Sequence, residues 1–405
     1  MPRSLLSMAW FALLLSACPD GKADSDSDAA SEVMTSILPP TTLDDSASTG
    51  EPGTTTQDEP DPTGTSSSST GDDGPLKCDD FIPVKPEPLV PRVVLVLDKS
   101  GSMLFEWDHD GDPATAAVTR WSSLRAVVES MVGGLDSVVQ FGAVLFPSLA
   151  AKAKPTIDAC VVGSDLLVPV GPQAGGAILD AIPPADTTTI AGGTPSTDGI
   201  LAAVSALDGL EGDEPKFIIF ITDGAANCDP DNARLFDDYD DRLATTVADA
   251  RAAGYQTHVV GIDISNALTP VLQDGNPDGI NPYEKLNELA EIAGTARPGD
   301  EKFYNATNEQ ELQAALMAIT GVVVSCEIGL GKPVPDHFYI QRVEIGDEPD
   351  PQEYDGQDTQ VGDCGSESGW QYTSPARDAI LLCGAACEHY KATGLIEIEY
   401  GCFIP

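Results

Sequence analysis

From about residue 89 onward, short apolar runs alternate with stretches of helical period. The runs at 93–97, 138–146, 216–222 and 257–262 are rich in β-branched residues and bounded by turn residues, the pattern of strands buried on both faces. A weaker run at 166–170 predicts an edge strand, and 301–304 a last short one. Between them, Trp121, Leu124, Val127, Val128 and Met131 fall on one helical face, and further helical patterns lie near 196–208, 241–253, 284–293 and 308–320. Strands alternating with helices imply right-handed crossovers and a mainly parallel sheet covered on both faces. The expected fold over 77–325 is therefore a doubly wound α/β domain. After 325 the helical period fades, and runs at 338–345, 370–372, 379–382 and 395–400 read as short strands between acidic, Gly-rich turns. Residues 326–405 are expected to form a small disulfide-stapled β module, because so short a segment has too little core to stand alone.

The first 76 residues follow neither pattern. A positive start, Met1-Pro2-Arg3, leads into an apolar run ending in Leu15-Ser16-Ala17-Cys18; the run is too short to span a bilayer. This end resembles the lipobox of bacterial lipoproteins. The resemblance implies a signal peptide over 1–17 and lipids on Cys18, so the chain would be exported and lipid-anchored to the cell envelope, on the periplasmic or surface side. Residues 19–76 hold no aromatic residue, thirteen acids and one lysine among many serines and threonines. Such a segment cannot bury enough apolar surface to offset its ordering entropy, and 18–76 is expected to be a disordered stalk.

Charge narrows the partners. Sixty-five acidic against 21 basic residues give a formal net charge of −44. A surface of this sign repels phosphate backbones and anionic headgroups, so nucleic acid is excluded as a partner and the lipid would be the sole membrane attachment.

Candidate chemistry sits at the strand ends. The first strong strand runs into Asp98-Lys99-Ser100-Gly101-Ser102; Gly192-Gly193-Thr194-Pro195 opens a helix; Thr222-Asp223-Gly224 ends the most apolar strand. Doubly wound folds bind ligands at the carboxyl ends of their strands, where strand order reverses. Taken in this order, the three motifs resemble the metal-ion-dependent adhesion site of von Willebrand factor A-type domains, over roughly 89–325. The resemblance implies one Mg²⁺ or Ca²⁺, touched by Ser100, Ser102 and Thr194, with Asp98 and Asp223 acting largely through water. It also implies an open coordination position that takes an acidic side chain from a protein partner. Three hydroxyls and two carboxylates suit a hard cation that keeps some of its waters. Each motif also has a plainer reading: Asp98 as an Asx-turn, Thr194 as a helix N-cap before proline, Thr222-Asp223-Gly224 as a turn.

Asp108, Asp110 and Asp112, alternating around Gly111, form a candidate second calcium loop, although no bidentate Glu follows at the EF-hand offset. Asp229-Pro230-Asp231 and the run 237–241 read as exposed acidic surface. Eight cysteines besides Cys18 suit four disulfides in an exported chain. Cys160 with Cys228, and Cys78 with Cys326, are the expected pairs; the other four stay open, with zinc as a competing reading of Cys383-Gly-Ala-Ala-Cys387.

No His-Glu-x-x-His pair, Gly-x-Ser-x-Gly elbow, P-loop or Cys/His nucleophile arrangement occurs. We expect no enzyme and no small-molecule substrate. The choice lies between a metal-dependent adhesion module, an envelope scaffold in which the metal only stabilises loops, and, as the family resemblance also allows, an accessory subunit of a larger machine, for which no partner motif is present.

Overall fold

The computed structural model describes residues 82–272, 275–336, 338–346, 352–354 and 359–402. The lipobox with Cys18, the expected stalk and Cys78 lie outside the described residues. None of the described helices is long and apolar enough to cross a membrane.

Six strands form the central sheet: β1 (Arg92–Asp98), β2 (Gln140–Phe146), β3 (Val168–Gly171), β4 (Lys216–Thr222), β5 (Gln256–Ile262) and β6 (Tyr304–Ala306). Their order is β6-β5-β4-β1-β2-β3. All neighbours are parallel except the edge strand β3, which runs antiparallel to β2. The fold is the expected doubly wound α/β architecture. The chain leaves β1 towards β2 on one side and later returns to β4 on the other, so the reversal of strand order lies between β1 and β4.

Burial on both faces explains the continuous apolar runs. Val93, Leu95 and Leu97 of β1 and Ile219 and Ile221 of β4 enter one core layer with α1 (Arg120–Leu135) and α6 (Glu309–Val323). Val94 and Val96, with Ile218 and Phe220, enter the opposite layer under α3 (Ser196–Asp208), α4 (Arg242–Ala252) and α5 (Pro282–Ala293). A short helix, α2 (Gly175–Ala181), was not signalled by the periodicity; it packs on α1 through the buried Ile178. Thr119 caps α1 by accepting from the Ser122 N–H, which sets Arg120 on the first turn of the helix.

The C-terminal strands are β7 (Glu327–Gly329), β8 (Phe338–Ile345), β9 (Gly369–Tyr372), β10 (Ala379–Cys383) and β11 (Ile396–Cys402). With the two-residue strand Gln352–Glu353, which pairs with β8, they build two antiparallel four-stranded sheets, and each sheet takes one strand from before the α/β domain: Ile82–Val84 pairs with β11, and Glu87–Pro88 with β7. Residues 82–88 thus pair with the C-terminal strands although they precede the α/β segment in sequence. One core cluster runs from α1 and α6 through Ile328 and Ile340 to Trp370 and Ile398, so the module shares its apolar interior with the domain. A helix, α7 (Ala385–Thr393), stands where only strands and turns were expected.

Three disulfides are present among the described residues: Cys160–Cys228, Cys326–Cys387 and Cys364–Cys383. Cys326 therefore pairs with Cys387 and not with Cys78. Cys387 lies in the first turn of α7, which packs on β8, β9 and β10, and β10 pairs with β7, the strand that Cys326 leads into. Cys383 and Cys387 belong to separate bridges, which removes the zinc reading of that pair.

Candidate metal-binding site

The loops after β1 and β4 meet at the switch point. Asp98, at the end of β1, is fully buried; its Oδ1 accepts from the Ser100 N–H at 2.7 Å and its Oδ2 from the Thr222 hydroxyl at 2.6 Å. Ser100 Oγ lies 2.9 Å from Ser102 Oγ, and Ser102 Oγ donates to Asp223 Oδ1 at 2.7 Å. Asp98, Ser100, Ser102, Thr222 and Asp223 are thereby joined in one hydrogen-bonded chain, which runs through the Ser100 N–H and side-chain oxygens and is drawn from two segments over 120 residues apart. The third segment reaches the same place through its backbone: the Gly101 N–H donates to Gly192 O at 3.3 Å, two residues before the buried Thr194.

The plainer readings are partly realised. Asp98 does close an Asx-turn on Ser100. Thr194 does not cap α3; the residue before that helix is Pro195, and no side chain caps it. Ser100 likewise precedes a short 3₁₀ turn without capping it by its side chain. The hydroxyls of Ser100 and Thr194 are not spent on helix ends.

The donor set fits a hard cation. Neighbouring ligand oxygens of an octahedral Mg²⁺ at about 2.0–2.1 Å lie about 2.9 Å from each other, and the 2.9 Å between Ser100 Oγ and Ser102 Oγ matches that edge. Among the described residues there is no group of three or more His, Cys, Asp or Glu side chains that could hold a metal; any cation here would rest on two carboxylates and hydroxyls.

Two cations stand beside this cluster. Arg120 donates from Nη1 to Asp223 Oδ2 at 3.0 Å and from Nη2 to Asp263, which follows β5. The buried Lys99 donates to Ala191 O at 3.2 Å. Burial, then the neighbouring Asp223 charge, raises the Asp98 pKa; burial also raises that of Asp223, against the pull of Arg120. Burial lowers the pKa of Lys99. For Arg120, burial works downward, and Asp223 and Asp263 more than offset it. A buried pair of carboxylates that resists ionisation is a place where added positive charge is favoured.

Arg120 and Asp263 escaped the sequence reading, and Thr222 was named there only as part of the Thr222-Asp223-Gly224 motif, without its role on Asp98. Thr222 carried a signal, since it sits directly before Asp223. Arg120 and Asp263 carried none: Arg120 reaches the site from the first turn of α1, and Asp263 from the end of β5, the strand beside β4.

The candidate second calcium loop is built differently. Asp108 Oδ1 accepts from the Gly111 N–H, Asp110 Oδ1 from the Asp112 N–H and the Thr115 hydroxyl, and Asp112 Oδ1 from the Ala114 N–H. The three carboxylates do not gather; each closes its own turn in an exposed loop. The acidic run 237–241 is also not all surface, because Asp240 is fully buried and held by Arg242 at 2.8 Å.

No protein-family model and no curated protein matches the chain. Among solved structures, it is similar to BatB from Bacteroides thetaiotaomicron at 18% identity, covering 57% of this chain and 97% of that one with a TM-score of 0.36. It is similar to the pilus adhesin SpaC from Lactobacillus rhamnosus GG at 17% identity, covering 77% of this chain and 39% of the adhesin, with a TM-score of 0.42. A von Willebrand factor type A protein from Catenulispora acidiphila matches at 14% identity over 80% of this chain and 64% of that one, with a TM-score of 0.37. The architecture rests on the chain's own strand order, not on these likenesses.

Proposed function

We propose that this chain is an envelope lipoprotein with a von Willebrand factor A-type domain that holds one Mg²⁺ or Ca²⁺ and grips a carboxylate-bearing protein partner through it. The observation that carries the reading is the convergence of Asp98, Ser100, Ser102 and Asp223 into one hydrogen-bonded oxygen cluster beside the Thr194 loop, at the switch point of a doubly wound sheet. Ser100, Ser102 and Thr194 would touch the ion, and Asp98 and Asp223 would act largely through water. The bound ion supplies positive charge and an open position for an anionic oxygen. Asp98 and Thr222 fix the Ser100 turn, and Arg120 holds one oxygen of Asp223, so the other stays aimed at Ser102.

Three disulfides support an oxidising compartment, in keeping with export and with lipids on Cys18. The test of the metal grip is retrieval of envelope proteins on the immobilised chain with Mg²⁺ and with chelator, alongside Asp98→Ala and Ser100→Ala. The reading requires capture that chelation and both substitutions abolish. Capture unchanged by all three would refute it. If no capture depends on metal, and chelator lowers only the melting temperature, the scaffold reading stands instead. For the anchor, labelled palmitate should appear on the wild type and not on Cys18→Ala; label on both refutes it.

A further inference from the structure

Thr194 comes from neither β1 nor β4, and its place beside the oxygen cluster is set by the backbone around it. Its N–H donates to Asn227 Oδ1 at 2.7 Å, and its carbonyl accepts from the Asn227 N–H at 3.2 Å. On the other side, the Gly193 N–H donates to Ala159 O at 3.0 Å. The residues next to these two partners, Cys160 and Cys228, are joined by a disulfide. The bridge lies directly against the loop: a Cβ on Gly193 would meet Cys228 Sγ at 2.7 Å and Asn227 Oδ1 at 3.0 Å. Gly192, at φ +130°, leaves no more room, since a Cβ there would meet Pro147 Cγ at 2.5 Å and Ala159 O at 2.8 Å. Asn227 and Cys228 are buried to within 2% of full cover, and Asn227 Nδ2 donates onward to Gly275 O at 3.2 Å. The Thr194 loop is therefore strapped from both sides, and the disulfide closes the strap.

We propose that Asn227 and the Cys160–Cys228 disulfide are positioning elements of the metal site, holding Thr194 in register with Ser100 and Ser102 and so setting the affinity for the ion. The inference rests on the metal reading above and extends it to residues that touch no metal. Their side chains act through Thr194, as supporting partners around metal ligands do elsewhere; losing such a partner weakens metal affinity by roughly 10–100-fold.

The experiment is Mg²⁺ titration calorimetry on four forms of the full chain: wild type, the Cys160→Ser/Cys228→Ser double variant, Asn227→Ala, and Cys364→Ser/Cys383→Ser. Circular dichroism and melting temperatures are recorded for each. The last form removes a bridge in the C-terminal module, remote from the strap. The expected result is a roughly 10–100-fold weaker Kd for the first double variant and for Asn227→Ala. The remote double variant should melt lower with its Kd unchanged. Wild-type Kd in the folded Asn227→Ala protein would overturn the proposal, and so would an equal loss in the remote variant. If Cys160→Ser/Cys228→Ser does not fold, Asn227→Ala decides. Absence of Mg²⁺ binding by the wild type would instead refute the metal reading, and the positioning role with it.

Discussion

Two acidic loops follow β1 within fifteen residues of each other, and they differ in almost every physical respect. The loop 98–102 offers one carboxylate and two hydroxyls, yet it meets Thr222 and Asp223 from across the sheet and is largely buried. The loop 108–112 offers three carboxylates in five residues, and those carboxylates accept from nearby backbone N–H groups and the Thr115 hydroxyl of the same exposed loop. Density of carboxylates along a sequence measures local charge. A site needs donors from distant segments brought to one place with part of their hydration already removed, and only the fold supplies that.

The sharpest break of this comparison is Asp98→Ala. It removes the residue that fixes both Ser100 and Thr222, and calorimetry should show Mg²⁺ binding lost; retained binding would place the ion elsewhere. Next comes Arg120→Ala, which leaves the fully buried Asp223 side chain without its cation. Stripping one partner from such a buried pair costs about 3–5 kcal/mol, to be read from urea unfolding in chelator, with saturating Mg²⁺ recovering part of the loss.

A third test asks whether burial alone makes a polar group a site. His258 on β5 is 5% exposed, its Nε2 has no hydrogen-bond partner, and burial pushes its pKa down to about 4. The folded state keeps this imidazole neutral, so its contribution is intact above the unfolded value near 6.5 and is lost as pH falls from there towards 4. Between pH 7 and 4.5 the wild type should lose about 2–3 kcal/mol more than His258→Phe. Parallel pH dependences of the two proteins would contradict the assignment. The smallest effect belongs to Asp110→Ala, which should leave Mg²⁺ affinity and the unfolding midpoint unchanged, since its bonds are to its own exposed turn.

How much of this was legible varies with range. The strands β1 and β4 and helix α3 could be placed within a residue, because burial on both faces leaves an apolar run with few alternatives. Asp98, Ser100, Ser102 and Asp223 could be named because each stands at the end of such a run. Arg120, Asp263 and Asn227 could not, since nothing in their neighbours reports that α1, β5 and the loop after β4 converge there. The same holds for Ile82–Val84, whose pairing with β11 joins segments from either side of the α/β domain, and for Cys326, whose partner depended on a helix, α7, that the C-terminal composition did not announce.

The most direct test of the metal assignment is anomalous diffraction from crystals of the protein grown with Mn²⁺, an oxygen-seeking stand-in for Mg²⁺. The account predicts one strong peak in contact with Ser100 Oγ and Ser102 Oγ, beside Thr194. No peak there, or a peak only in the 108–112 loop, would contradict it.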